Sequence, residues 1–61
     1  MTYWRIDVSG WGTLWAVGTE AEAEEWRKHK AGWEGSVARK REVSEDALPD
    51  DESWRVLSEL L

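Results

Sequence analysis

The single histidine of the chain, His29, stands four residues after Glu25. Two side chains at this spacing meet on the surface of a helix, and an imidazole oriented by a carboxylate can act as a general base. No Ser or Cys nucleophile stands near His29 in the sequence, and its neighbours are charged. We therefore interpret His29 as a solvated surface residue. We predict no catalytic residue and expect that the protein is not an enzyme.

Three consecutive acids, Asp50, Asp51 and Glu52, are the strongest candidates for a metal site. The alternating Asp-x-Asp-x-Asp-Gly loop that holds calcium does not surround them. The glycines near the N-terminus are not followed by the Lys-Ser/Thr pair of a phosphate-binding loop. We therefore predict no metal, no cofactor and no small-molecule substrate, and we interpret the three acids as a helix start and a solvated surface.

A basic cluster, Arg39-Lys40-Arg41, follows Trp33 and has two interpretations. Basic charge beside an aromatic ring is typical of a platform for nucleic acid. The same charges on the edge strand of a sheet prevent pairing with other chains. We favour the edge strand, because acidic residues on both sides of the cluster would repel a phosphate chain.

Two runs of the sequence contain acids and no base: residues 20–25 hold four acids, and residues 42–52 hold six. Such runs are commonly solvated surface, but they can also bind a basic groove that normally holds nucleic acid. Trp11 stands between two glycines, where a turn would expose it, and exposed Trp is frequent at binding hot spots. The predicted partner-binding residues are Glu20, Glu22, Glu24, Glu25, Glu45, Asp46, Asp50, Asp51, Glu52 and Trp11.

The composition indicates one small domain, residues 1–61, with six Trp, no Phe and no Cys. Large indoles compensate for the modest core of so short a chain. The net charge of −5 disfavours direct binding to a phosphate backbone and favours basic partners. No apolar run approaches the roughly 20 residues of a membrane span, and the N-terminus does not resemble a signal peptide. We expect a cytoplasmic protein without a membrane partner.

One segment carries a full set of helix signals and must position several of these acids. Thr19 and Glu22 have the spacing of a capping box, so the sequence predicts a helix over residues 20–33. Acids crowd its first turns and bases its last, which matches the helix dipole. The spacing from Glu24 to Lys28 predicts an i,i+4 ion pair. Its buried stripe is predicted to contain Ala23, Trp26, Lys30 and Trp33, and Gly32 and Gly35 are predicted to end it.

Period-2 alternation predicts strands over residues 2–9, 13–17 and 36–43, the first two forming a hairpin. A loop over residues 44–52 leads to a short helix over residues 53–61, whose start is predicted at the acids after Pro49. This final helix would present Trp54, Leu57 and Leu61 on one stripe.

The element order predicts an α+β fold, β-β-α-β-α. We expect a three-stranded antiparallel sheet of order 2-1-3, with one helix packed across it and a short C-terminal helix. The predicted core contains Trp4, Ile6, Val8, Trp26 and Trp33.

Two stretches, residues 3–10 and 18–35, carry a resemblance. Their sequences, YWRIDVSG and GTEAEAEEWRKHKAGWEG, look like those of small proteins encoded by phages and prophages of proteobacteria. Small, acidic, cysteine-free phage proteins of one domain resemble the anti-CRISPR class, whose members bind CRISPR–Cas effector complexes. This resemblance implies an inhibitor in the bacterial host cell and carries no residue roles across.

Three functions remain open at this point. The first is a protein-binding inhibitor of a bacterial defence complex, an anti-CRISPR whose acidic surface blocks the binding of target DNA. The second is a small nucleic-acid-binding accessory protein that uses Arg39, Lys40, Arg41 and an exposed Trp. The third is a phage structural or assembly component, which would self-associate. We favour the first and expect a partner with a basic nucleic-acid groove and no direct binding of nucleic acid.

Overall fold

The structure is a computed structural model, and it describes residues 2–31 and 37–61. The predicted core position of Trp33 and the predicted helix stop at Gly32 and Gly35 lie outside these residues. The elements are β1 (Thr2–Val8), β2 (Gly12–Gly18), α1 (Glu20–Ala31), β3 (Ala38–Val43), a 3-10 turn (Glu45–Ala47), β4 (Arg55–Val56) and α2 (Leu57–Leu60).

The predicted hairpin is confirmed, since β1 and β2 pair antiparallel from Thr2 opposite Gly18 to Val8 opposite Gly12. The turn between them is closed by the backbone N–H of Trp11, which donates to the carbonyl of Val8 at 3.1 Å. Gly10 occupies the third position of this turn with φ +79°, which glycine adopts without the steric cost that other residues incur.

The capping box that predicts the start of α1 is also confirmed. The Glu22 backbone N–H donates to Thr19 Oγ1 at 3.2 Å, and the Thr19 N–H donates to Glu22 Oε1 at 2.9 Å. Two of the N–H groups that every helix start leaves without a partner are thus satisfied by side chains. Ala23 and Trp26 form the buried stripe of the helix, and Lys30 is half-buried, as predicted.

Over the described residues, the sheet has four strands in the order β3-β1-β2-β4. The predicted order 2-1-3 holds for the first three strands, and β3 pairs antiparallel with β1 as expected. The prediction of a purely antiparallel, three-stranded sheet is wrong, because β4 adds a short parallel pairing with β2, in which Val56 lies opposite Val17. The fold is therefore α+β with a mixed sheet.

The predicted helix over residues 53–61 is wrong in its start and in its length. Asp51 does not cap a helix: its carboxylate accepts the Ser53 N–H at 3.1 Å, and Glu52 turns the chain with φ +59°. This turn sends the chain alongside β2, where Val56 is extended, with φ −89° and ψ 120°. Only α2 is helical.

The predicted apolar stripe of that final helix is likewise only partly present. Leu57 is fully buried, whereas Trp54 is half-buried and Leu61 is 54% exposed. A helix of four residues is too short to present three side chains of this spacing to one surface.

The core lies between one face of the sheet and the two helices. Gly18 leaves the space that Leu57 fills, since a Cβ at Gly18 would lie 2.9 Å from Leu57 Cδ1. The Trp4 indole N–H reaches the carbonyl of Gly18 at 3.1 Å, so the buried polar atom has a partner. The buried cluster contains Trp4, Ile6, Val8, Leu14, Ala16, Ala23, Trp26, Ala38 and Leu57.

Neither helix, within residues 2–31 and 37–61, has the length and apolar character that crossing a membrane requires.

Candidate functional site: the acidic end and the open face

Four of the predicted acids lie at the end of the sheet where β1 begins. Glu20 follows β2 directly at this end, because Gly18 pairs with Thr2. The acids of the 3-10 turn also lie there, because β3 reaches this end with Val43 opposite Tyr3. We call the acids of this region the acidic end; its members are Glu20, Glu45, Asp46 and Asp50. The predicted binding acids Asp51 and Glu52 are not counted with them, because they lead into β4, which runs parallel to β2 and begins with Arg55 opposite Ala16.

The acidic end brings together residues that are distant in the sequence. Glu45 and Asp50 line one shallow groove with Trp54, beside the first strand. Within the described part of the chain, the acidic end makes no ion pair with a base, and all its members are exposed. Asp51, which follows the acidic end in the sequence, has its carboxylate engaged by hydrogen bonds from Ser53 that lower the pKa of Asp51. As far as the described residues show, the four carboxylates of the acidic end remain available to a partner.

Three other predicted binding acids have partners inside the fold. Glu22 belongs to the capping box of α1. Glu25 lies 3.8 Å from Nε2 of His29, an exposed pair at the predicted i,i+4 spacing. Glu24 is engaged most firmly, and its role is to join α1 to β3.

Glu24 does not form the predicted pair with Lys28. Instead, its Oε1 accepts a 2.8 Å hydrogen bond from Arg27 Nε, and its Oε2 accepts a 2.6 Å hydrogen bond from Arg27 Nη2. Glu24 Oε1 also lies 3.4 Å from Lys40 Nζ. The Arg27 hydrogen bonds are the main reason that the pKa of Glu24 falls to about 2, with Lys40 adding to the effect. Arg27 also donates to the carbonyl of Ala38 at 3.1 Å, so this cluster fastens the helix to the edge strand.

Trp11 lies at the opposite end of the sheet from the acidic end. It is 52% exposed, as a residue at the tip of a hairpin is expected to be. Its ring meets the ring of Trp26 edge-on at 5.7 Å, and Lys30 Nζ lies 5.4 Å from the centroid of each ring. The strands separate Trp11 from the acids by roughly 20 Å at about 3.3 Å per residue, so the predicted binding residues do not form one patch.

The basic cluster is divided between the two faces of the sheet. Lys40 points to the helix side, where its Nζ lies 5.6 Å from the Trp4 ring centroid and close to Glu24. Arg39 and Arg41 are exposed and share the other face with the odd-numbered residues of β1. The edge position of β3, which the charges favour, is confirmed.

This other face is not covered by either helix, and we call it the open face. Arg5 stands at its centre, directly opposite Trp15 on one side and Arg41 on the other. The Arg5 guanidinium carbon lies 5.5 Å from the Trp15 ring centroid. At the end of this face nearest the acidic end, Tyr3 lies between Val17 and Val43, and Val17 is buried beside Leu48, Pro49 and Trp54. The open face is formed by Tyr3, Arg5, Asp7, Thr13, Trp15, Arg39 and Arg41.

Among the residues that the structure describes, Asp7 is the one acid of the open face. It accepts a 2.6 Å hydrogen bond from the Thr13 hydroxyl and a 3.2 Å bond from Arg5. The Thr13 bond is the largest cause of the lowered pKa of Asp7, and Arg5 and Arg41 lower it further. Asp7 therefore stays ionised and holds Arg5 in place.

Sequence reasoning missed Arg5 and Trp15 as functional candidates. The signal was present, because both residues alternate with the core positions of their strands and hairpin pairing sets them opposite each other. A search for basic residues close together in the sequence cannot detect a cluster assembled across three strands.

Comparison with protein-family models, with curated protein sequences and with solved structures finds no significant match for this chain. Across the described residues, no group of three or more His, Asp and Glu side chains is arranged to hold a metal ion.

Proposed function

We propose that the protein is a protein-binding inhibitor of a bacterial defence complex and that it binds through the acidic end. The observation that carries the proposal is that the exposed carboxylates of Glu20, Glu45, Asp46 and Asp50 lie at one end of a domain of net charge −5, without internal ion pairs in the described residues. The resemblance to small phage proteins gives the class of partner, a CRISPR–Cas effector, and the host cytoplasm as the place of action.

The proposed mechanism is competition for basic side chains. A groove that holds nucleic acid presents Lys and Arg at the spacing of phosphates, and clustered carboxylates offer those residues an alternative partner. Complementary charge would accelerate the encounter and fix the orientation more than it would add affinity. The association rate should therefore fall as salt rises, because the interaction is screened beyond about 8–10 Å at physiological ionic strength.

The experiment measures the binding of labelled target DNA by purified CRISPR–Cas effector complexes of proteobacteria, with increasing amounts of the protein. We expect one complex to lose DNA binding at a stoichiometric amount of the wild-type protein. The triple variant E45K/D46K/D50K should inhibit it at least tenfold less well. Asp51 is left unchanged in this design because its carboxylate holds the turn before β4.

The matched control compares two single charge reversals. Asp50→Lys changes the acidic end, whereas Glu25→Lys makes the same change of charge on the exposed surface of α1. We expect only Asp50→Lys to slow association, and circular dichroism confirms that each variant folds. Inhibition by the triple variant at the wild-type concentration would contradict the acidic-end mechanism. Light scattering at the same concentrations tests for the self-association that an assembly component would show.

A further inference from the structure

We infer that the open face is a second binding site, which takes single-stranded nucleic acid. It goes beyond the inhibitor proposal and does not depend on it, because it rests on different residues on a different surface. It also revises the expectation, made from net charge, that the protein does not bind nucleic acid directly.

The three arginines of the site are brought together by strand pairing. Arg5 and Arg41 are directly opposite across β1 and β3, and Arg39 is one row further along, opposite Asp7. Neighbouring strands lie about 4.8 Å apart, and alternate residues on one strand are about 6.6 Å apart. The three guanidinium groups therefore belong to two adjacent rows of paired residues, Arg5 with Arg41 and Asp7 with Arg39. Residues of β1 and β3 line a shallow groove at this position.

Two of these cations are available to a ligand. Arg5 is paired with Asp7, but neither Arg39 nor Arg41 makes an ion pair or a side-chain hydrogen bond within residues 2–31 and 37–61. Both are exposed on the sheet edge. With Asp7 counted, the face carries a net positive charge, whereas the acids that make the whole chain negative are gathered mainly elsewhere.

Aromatic rings lie beside the cations on the same face. Trp15 adjoins Arg5 in the central row, and Tyr3 occupies the next row toward the acidic end. Both rings are half-buried, so each keeps part of its surface accessible. Flat aromatic surfaces stack on bases, and Arg binds phosphate and stacks as well, so this combination is typical of surfaces that bind single strands.

Two features favour a single strand over other polyanions. A duplex keeps its bases stacked on one another and offers a flat sheet only phosphates, which would leave Trp15 and Tyr3 without a role. An acidic peptide would use the arginines but has no flat bases for these rings. The acids at Glu45 and Asp50 border the aromatic row and limit the site to a short stretch of nucleotides.

The test is fluorescence anisotropy of labelled oligo(dT) of about 12 nucleotides, within the range that one small β domain covers. The two available arginines, Arg39 and Arg41, predict two phosphate contacts, so the affinity should fall about sevenfold between about 50 mM and 200 mM salt, using the slope for single strands. The double variant R39Q/R41Q should bind at least tenfold more weakly at the lower salt. Its residual affinity should change little over the same salt range, because neither of the two phosphate contacts remains.

The matched control is Arg55→Gln. Arg55 is an exposed arginine that pairs with Ala16 and therefore lies on the helix side of the sheet. The Arg55→Gln variant loses one cation but keeps every residue of the open face. Its affinity for the oligonucleotide should therefore equal that of the wild type. Each variant is first compared with the wild type by thermal unfolding.

Four outcomes would overturn the inference. Two concern the protein: the wild type does not bind oligo(dT) at the lower salt, or Arg55→Gln weakens oligo(dT) binding as much as R39Q/R41Q does. Two concern the ligand: the wild type binds a duplex of the same length equally tightly, or poly-glutamate competes as strongly as unlabelled oligo(dT). The last two would assign the arginines to general attraction of polyanions or to an acidic protein partner. None of these outcomes bears on the acidic end, whose residues are unchanged in this experiment.

Discussion

Thr19 connects the end of the hairpin to the start of the helix through one side chain. Its hydroxyl accepts the Glu22 N–H, and its own N–H donates to the Glu22 carboxylate, so the first turn of α1 depends on this pair. Thr19→Ala should lower the free energy of unfolding by about 0.5–2 kcal/mol, measured by urea denaturation. Thr19→Ser retains the hydroxyl and is the matched control, so an equal loss in both variants would argue against the cap.

Glu24 makes the stability depend on acid. Its pKa in the folded protein is about 2, below the ordinary value of 4.5, because the folded state holds the ionised form against Arg27 and Lys40. A carboxyl with a lowered pKa contributes its stabilisation above the unfolded pKa and loses it as the pH falls toward the folded pKa. This contribution should therefore be complete above about pH 4.5 and disappear toward pH 2.

The measurement is the urea midpoint of the wild type and of Glu24→Gln at a series of pH values. Glu24→Gln should be less stable at neutral pH and should lose less of its stability in that acid window. Glu25→Gln removes an exposed carboxylate from the same helix and serves as the comparison. Identical acid sensitivity in the wild type and Glu24→Gln would show that the cluster with Arg27 contributes nothing.

The packing of α1 on the sheet depends on Trp26, which is 7% exposed and belongs to the buried cluster. Trp26→Ala should cost about 3–5 kcal/mol, because a large cavity remains where the indole was. That is a large share of the stability of a small domain. Trp11→Ala removes the exposed partner of the same aromatic pair and should cost less. A melting temperature that Trp26→Ala leaves unchanged would place Trp26 outside the core.

The last element offers a cleaner comparison between two leucines. Leu57 is fully buried beside Gly18, whereas Leu60 of the same short helix is 42% exposed. Leu57→Ala should therefore cost about 2–5 kcal/mol in thermal or chemical unfolding, and Leu60→Ala should stay within about 0.5 kcal/mol of the wild type. If the two variants lose similar stability, the helix packs through a different side than the one described.

The elements that local signals define were predictable from the sequence. Alternation located the hairpin, and the Thr19–Glu22 spacing located the start of α1 within one residue. The C-terminal segment was not predictable in this way, because Val56 is extended through pairing with Val17, a residue 39 positions earlier. Tertiary pairing overrode a local pattern that favours a helix, as it commonly does for short segments.

On the scale of the whole molecule, charge is distributed unevenly. Carboxylates without an ion pair in the described part of the chain lie at the acidic end, and Arg5, Arg39 and Arg41 lie on the open face. The sequence showed the acid runs but not that Glu20 of the first lies at the same end of the sheet as Glu45, Asp46 and Asp50 of the second, since this depends on where β2 and β3 end. The basic cluster seen in the sequence contains two of the three arginines, Arg39 and Arg41, together with Lys40. Strand alternation puts Lys40 on the opposite face of the sheet. The net charge of the chain therefore predicts neither the position of the acidic end nor the positive charge of the open face.

The ladder between β2 and β4 is only two residues long, and it has a consequence for how the native state opens. Short, peripheral units open at lower free energy than the centre of a sheet. We expect the amide protons of β4 and α2 to exchange with solvent well before those of β1, which is paired on both sides. Native-state hydrogen exchange followed by NMR measures this difference. In each such opening, Leu57 would leave its position beside Gly18, and water would briefly reach that part of the core. The hairpin and α1 would remain folded.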